Sequence, residues 1–316
     1  MDKQEVLRAT VRKLLQNGQV SLVIGYANGT LPLRTAPVFI RTAEEADLLV
    51  WNSLCEYNLA NYLPRYANDR IAIVVKGCDA RALVGLLQEN QVQRDRVYVI
   101  GVSCEGVVDR RQVAALVGGR EVTAVEESPE NIVVRGRGFE KLIPKKEAMF
   151  PSCRVCRYGN PVLADITIGD SVAAGEDAFD DIAAFENLPA PEREAYFVRE
   201  MNKCIRCYAC RNACPMCYCK QCFVDASMPQ WLSRWVGTAD NLFFHLGRAL
   251  HLAGRCVDCG ACARACPVGV DLMKLNRKLI KDARELFGYE AGLDPEGRPL
   301  LGTFNPDDPG PFTIRG

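Results

Sequence analysis

Histidine is nearly absent: His245 and His251 are the only two in 316 residues. No Ser–His–Asp arrangement can therefore be argued from spacing. Both histidines lie between Asn241 and Ala253, where a helix-surface or cap role is expected over an axial or metal role. Net charge is also lacking, since 39 basic residues face 39 acidic ones. No overall field recruits nucleic acid or an anionic membrane surface. No run approaches ~18 uninterrupted apolar residues, so no transmembrane helix and no membrane insertion is expected. Neither a GxGxxG nor a Walker motif occurs, and Gly118-Gly119 is too isolated to be a phosphate loop, which argues against direct nucleotide binding. Acidic residues are plentiful, yet nothing marks a catalytic pair. Met1-Asp2-Lys3-Gln4-Glu5 carries acids where a signal peptide would be basic, with no apolar region behind it, so a cytoplasmic location is expected.

What the chain does have is cysteine, sixteen in all. In a small secreted protein that number would mean disulfides. Here the spacings are tight CxxC runs without an export signal, and thiolate ligation of metal is the better reading. Length allows about two domains of ~100–200 residues each. Val6, Leu7, Val11, Leu14 and Leu15 predict a first helix, and Ser21 to Ala27 a strand. A β–α–β unit follows, with Ile71 to Val75, a helix from Asp79 to about Glu89, and Val97 to Val102, which predicts neighbouring parallel strands. Val122 to Val125, Ile132 to Val134 and Ile166 to Ile168 add strands. The fold class expected is α/β (α+β) with a mixed sheet over residues 1–170, then a two-cluster ferredoxin-like domain. An exposed acidic connection over 171–200 leads to that domain at 201–290, which carries an inserted segment, 223–255. Trp231, Trp235, Leu232, Leu242, Phe243 and Phe244 of the insert are expected to pack over the cluster domain. Asp271 is expected to cap a helix bearing Leu272, Leu275, Leu279, Ile280, Ala283, Leu286 and Phe287. Residues 291–316, rich in Gly, Pro and Asp, read as an extended tail.

Eleven of the sixteen cysteines lie between Cys204 and Cys266. Cys204, Cys207, Cys210 and Cys214, followed by Pro215, spell C-x2-C-x2-C-x3-C-P. Cys256, Cys259, Cys262 and Cys266, followed by Pro267, repeat it. In two-cluster ferredoxins the fourth Cys of each run ligates the other cluster. One [4Fe–4S] cluster would then take Cys204, Cys207, Cys210 and Cys266, and a second Cys256, Cys259, Cys262 and Cys214. Zinc also binds CxxC pairs, but it requires neither the third Cys nor the Cys-Pro ending. Between Met201 and Glu290, 13 basic residues outnumber 7 acidic ones. Such an excess suits oxidised clusters of charge about −2.

Cys78 sits where a strand passes into a helix N-terminus, and Cys104 follows the next strand. Parallel pairing would bring both to one sheet edge, a usual cofactor position. With Cys153 and Cys156 they make four ligands for a third cluster. Cys55, Cys217, Cys219 and Cys222 remain, and a fourth cluster would account for all sixteen.

The stretches Lys76-Gly77-Cys78-Asp79-Ala80-Arg81-Ala82-Leu83, Ile100-Gly101-Val102-Ser103-Cys104, Cys153-Arg154-Val155-Cys156 and Ala164-Asp165-Ile166-Thr167-Ile168-Gly169-Asp170 resemble the beta subunits of deazaflavin-reducing hydrogenase and of archaeal-type formate dehydrogenase. The formate dehydrogenase branch is the more similar, because it too carries a dicluster ferredoxin with a continuation like Cys214-Pro215-Met216-Cys217-Tyr218-Cys219. The resemblance covers about residues 15 to 290. It implies electron transfer between a catalytic formate dehydrogenase or hydrogenase subunit and a flavin, a deazaflavin or a heterodisulfide-reductase-like module. The chain departs from flavin-bearing relatives at its start and after the Ala-Asp-Ile strand. Two functions are therefore carried forward: a relay subunit passing single electrons, and an FAD-containing oxidoreductase converting hydride pairs to single electrons.

Overall fold

The computed structural model describes residues 2–66 and 68–303. The chain forms two compact units. The first comprises the residues up to Arg81 together with Gln91–Asp177; the second comprises Ala82–Asn90 and the residues from Ala178 onward.

In the first unit, α1 (Lys3–Gln16) begins at Asp2, whose carboxylate accepts a hydrogen bond from the Gln4 amide at 3.1 Å. The helix buries Leu7, Val11 and Leu14, three of the five residues whose spacing predicts it. Strand β1 (Leu22–Asn28) pairs antiparallel with β2 (Thr35–Ile40) and parallel with β3 (Ile71–Val75). All five residues of β3 are buried, as expected of a central parallel strand covered on both faces. Helix α2 (Gly77–Gln88) then crosses to β4 (Val97–Val102), which pairs parallel with β3 from Ile71↔Val97 to Val75↔Gly101. Next come α3 (Arg110–Leu116) and an antiparallel sheet of β5 (Ala124–Glu127), β6 (Asn131–Gly136) and β7 (Phe139–Pro144). That sheet has its own core, including Val113, Ile132, Val134 and Ile143. The short helices α4 (Lys145–Ala148) and α5 (Pro151–Arg154) precede β8 (Ile166–Ile168), which completes the main sheet in the order β2-β1-β3-β4-β8.

The mixed sheet is the one the sequence predicts, but it gains β2. Pro37 inside that strand argues for a loop, and the strand is tolerated because it lies at the sheet edge. The charged face of β7 conceals it in the same way.

The second unit contains α6 (Asp180–Glu186), α7 (Ala190–Lys203), α8 (Ala209–Asn212), α9 (Thr238–His251), α10 (Ala261–Ala265) and α11 (Met273–Phe287). The acidic segment does more than connect. Asp181 meets Arg277 at 3.0 Å, and Glu186 meets Lys278 at 2.7 Å, tying α6 to α11. Asp271 caps α11 as expected, accepting from the Met273 and Lys274 amides at 3.2 and 3.3 Å. Residues of α2 from Ala82 group here because Gly85 approaches Met216 closely and Glu89 pairs with Arg255. Leu232 and Phe244 are buried, whereas Trp231 and Trp235 are 54% and 84% exposed, so the tryptophans do not pack over the unit as expected. The described part of the tail is turned rather than extended, with Ala291 buried and the Asp294 carbonyl bonded by Gln88 at 2.7 Å. Residues 304–316 lie outside the described residues. No helix among the described residues is long and apolar enough to cross a membrane.

Candidate metal centres

Parallel pairing carries Cys78 and Cys104 to the same edge of the main sheet. The turn from β3 into α2 is possible only with glycine, because a Cβ on Gly77 would lie 1.8 Å from the Tyr158 carbonyl oxygen. This tight approach brings the Cys156-Arg157-Tyr158 segment to the turn, and the Cys104 amide bonds the Gly159 carbonyl at 2.9 Å. Burial pushes the Cys104 thiol up to about 12, and nearby Cys153 and Cys156 add to the shift while Lys76 opposes it. Lys76 itself is fully buried. It pairs with Asp79 at 2.9 Å, donates to the Tyr57 carbonyl at 2.8 Å and bonds the Tyr26 hydroxyl. Burial pulls its ammonium group down, but Asp79 and the thiols of Cys78, Cys104 and Cys55 more than reverse this, so it stays above the ordinary lysine range. A permanent buried cation thus faces three thiols.

Beside this edge lies a cavity of about 770 Å³, lined by Cys104, Ser103, Lys76, Trp51, Glu127 and Lys145 among others. Among the described residues, the buried hydroxyls of Ser53 and Ser103 have no hydrogen-bond partner there.

In the second unit the two cysteine runs share one backbone pattern. Arg206 and Tyr208 have φ of 51° and 59°, and the equivalent Asp258 and Gly260 have 56° and 68°. Left-handed backbone is unfavourable for non-glycine residues, so three such residues at matching places mark one loop shape used twice. Short helices α8 and α10 follow at the third cysteine of each run. Amides turn toward sulfur: Arg206 N to Cys204 Sγ and Val270 N to Cys266 Sγ, each at 3.3 Å.

The runs also interlock. Burial raises the Cys204 thiol, with Cys266 and Cys207 contributing. Burial likewise raises Cys256, where Cys262, Cys259 and Cys214 contribute, and pushes Cys259 up to about 11, with Cys214 again among its neighbours. The fourth cysteine of each run therefore stands beside thiols of the other. All sixteen cysteines are free of disulfides. Among the described residues no His, Cys, Asp and Glu group is drawn together in a way that would hold a single metal ion. Free thiols of the two runs near one another, amides directed at sulfur and a buried cation nearby fit the iron cubane.

The spacing argument missed two residues on α9. His245, 4% exposed, brings Nε2 to 3.3 Å from Cys204 Sγ, and burial aided by Arg248 lowers it to about 4. It is a neutral partner of a candidate ligand, not the surface or cap residue expected. Arg248, 5% exposed, donates to the Cys210 carbonyl at 3.3 Å, while its Nε has no partner among the described residues. Burial opposes its charge, but the thiols of Cys262, Cys214, Cys217 and Cys210 hold it well above the ordinary range. A helical i, i+3 pair facing a distant loop leaves a signal only in the helix pattern of α9.

The last proposed quartet is divided between the units. Cys55 is 1% exposed in the first, with its thiol 3.7 Å from Asn52 Oδ1 and pushed up to about 12 by burial. Cys217, Cys219 and Cys222 line a cavity of about 210 Å³ in the second.

Comparison with known proteins follows the same division. Residues 68–183 match the family described as the C terminus of the coenzyme F420 hydrogenase/dehydrogenase beta subunit, and residues 200–270 match the 4Fe-4S dicluster domain. The chain is 23% identical over 353 residues to the F420-dependent formate dehydrogenase subunit beta of Methanocaldococcus jannaschii, covering 93% of both. It is 25% identical over 358 residues to the F420-dependent formate dehydrogenase 1 subunit beta of Methanococcus maripaludis, covering 93% of this chain and 92% of the relative. A chain of the F420-reducing [NiFe] hydrogenase complex of Methanosarcina barkeri aligns with a TM-score of 0.41 and 15% identity, over 63% of this chain and 86% of that one. The resemblance drawn from the motifs holds in both regions.

Proposed function

We propose, for a chain that joins a beta-subunit region of the coenzyme F420 hydrogenase/dehydrogenase type to a 4Fe-4S dicluster domain, that it is an iron–sulfur electron-transfer subunit of an anaerobic redox complex. One [4Fe–4S] cluster is assigned to Cys204, Cys207, Cys210 and Cys266, and another to Cys256, Cys259, Cys262 and Cys214. A third is assigned to Cys78, Cys104, Cys153 and Cys156, and Cys217, Cys219 and Cys222 contribute to a fourth. The observation that carries this reading is the repeated left-handed backbone at Arg206, Tyr208, Asp258 and Gly260, with the fourth cysteine of each run beside the other run. When bound, such clusters supply reversible one-electron transfer.

The polypeptide's part is placement and tuning. Arg248 and Lys76 hold positive charge where reduction adds negative charge, and burial keeps water from screening it. Exposed Cys207 leaves one cluster near the surface for exchange. Single electrons pass between a formate dehydrogenase or hydrogenase-type catalytic subunit and a heterodisulfide-reductase-like or other acceptor module. The names of the relatives support the formate dehydrogenase branch.

One observation favours the FAD-containing alternative. The 770 Å³ cavity has Cys104 and Trp51 in its wall, together with Lys76 and Lys145, which are paired with Asp79 and Glu127, so it provides an aromatic face and a direct neighbour among the thiols. Anaerobic purification followed by iron, sulfide and flavin analysis separates the readings. The relay expects about sixteen irons for four clusters and no flavin, whereas the alternative expects one flavin per chain. Colourless protein without iron or sulfide refutes both.

A further inference from the structure

We infer that His251 is the fourth ligand of a [4Fe–4S] cluster whose other ligands are Cys217, Cys219 and Cys222. This rests on the reading of that cysteine trio as cluster ligands and departs from it in the fourth position.

The 210 Å³ cavity lies wholly within the second unit, and its lining includes all three cysteines and His251. His251 is the last residue of α9, and its ring stands edge-on to Phe223 with centroids 5.4 Å apart. Phe223 directly follows Cys222 in the chain, so the contact ties the imidazole to the loop that carries the thiols. Cys55, the alternative, is a buried residue of the first unit whose thiol already faces Asn52.

The remaining wall suits an anionic occupant. Arg211, Lys220, Arg248 and Arg255 line the cavity against a single acid, Asp225. Arg211 is fixed by Asp225 at 2.8 Å, and Arg255 by Glu89 at 2.5 Å and by the Tyr218 hydroxyl at 2.6 Å. Rigid cations around three thiols would offset the charge of a cubane with three thiolate ligands.

Position gives the site its role. Cys217 is close enough to Cys214 for the two thiols to share a hydrogen bond, which makes this cluster the neighbour of the one assigned to Cys214. Cys219 and His251 are exposed, so the cluster stands at the surface, where single electrons enter or leave. A neutral imidazole in place of a thiolate makes the cluster less negative and raises its potential, as histidine ligation does in other clusters. The site would therefore collect electrons from its all-thiolate neighbours.

The test uses the full chain, purified anaerobically, with iron and sulfide counts and electron paramagnetic resonance during redox titration. A Cys217→Ser/Cys219→Ser/Cys222→Ser variant should lose about four irons and one signal while the ferredoxin signals persist. His251→Ala should lose or alter that same signal. His251→Cys should keep the iron, lower the midpoint of that one cluster and abolish the nitrogen hyperfine coupling seen in the parent. Cys55→Ala should leave everything in place. Retention of all iron in the triple variant refutes the trio as ligands. Loss of iron there, with iron, signals and midpoints unchanged in both His251 variants, leaves the trio standing and refutes His251. Loss of about four irons in Cys55→Ala gives the fourth position to Cys55, and one zinc per chain at the trio overturns the cluster itself.

Discussion

Arg248→Gln should lower the midpoint potentials of the clusters around α9. The guanidinium is 5% exposed and surrounded by the thiols of Cys262, Cys214, Cys217 and Cys210, which belong to three proposed clusters. Reduction adds an electron to a cluster that Arg248 already stabilises, so removing the charge disfavours the reduced form. A unit charge ~6 Å from a cluster centre interacts by about 3 kcal/mol at an effective dielectric constant of ~20, equivalent to about 120 mV for one electron. Burial keeps the effect from being screened, so the shift should change little between low and high salt. The assay is a redox titration of anaerobic protein followed by electron paramagnetic resonance. Arg248→Lys, which keeps the charge, should recover much of the parental potential. Arg234→Gln, at an exposed position, should shift it little. A displacement below about 20 mV, an upward displacement, or an equal one in the exposed control would refute the assignment of Arg248 as the tuning charge.

Asp79→Asn leaves the Lys76 ammonium buried without its carboxylate and should cost about 3–5 kcal/mol, with a Lys76→Met/Asp79→Leu double variant recovering most of it. Thermal midpoints at a matched scan rate check this, and a loss under about 1 kcal/mol would contradict the buried pair. Gly77→Ala forces Cβ to within 1.8 Å of the Tyr158 carbonyl, so the turn must open. About four irons should then be lost from the first unit, and unchanged iron and sulfide would show that Cys78 is not a ligand. Oxidative removal of iron with a chelator should unfold much of the second unit, because cysteines 210, 262 and 266 are part of its small core. Circular dichroism and protease cleavage between residues 204 and 266 would report it, and a spectrum unaltered by iron loss would refute it.

Much of the fold is legible in the sequence for physical reasons. The β–α–β unit is read from apolar runs long enough to be central strands, and β3 and β4 end where the runs end. The strands that escape notice, β2 and β7, are those whose sequence reflects an edge or a solvated face rather than burial. Trp231 and Trp235 mislead because a large apolar side chain reads as core, yet the described residues leave both largely uncovered.

Local order along the chain determined which atoms can bind iron: C-x2-C-x2-C-x3-C-P presents its thiols from consecutive turns, and no tertiary contact is needed to recognise it. Tertiary structure alone decided what those thiols face. His245, Arg248 and His251 lie along α9, and only the packing of that helix brings them to Cys204, to Cys210 and to the cavity of Cys217, Cys219 and Cys222. Ligand spacing is a property of a few neighbouring bonds, whereas the charge and the polar side chains brought to those thiols depend on a helix folded back from elsewhere in the chain.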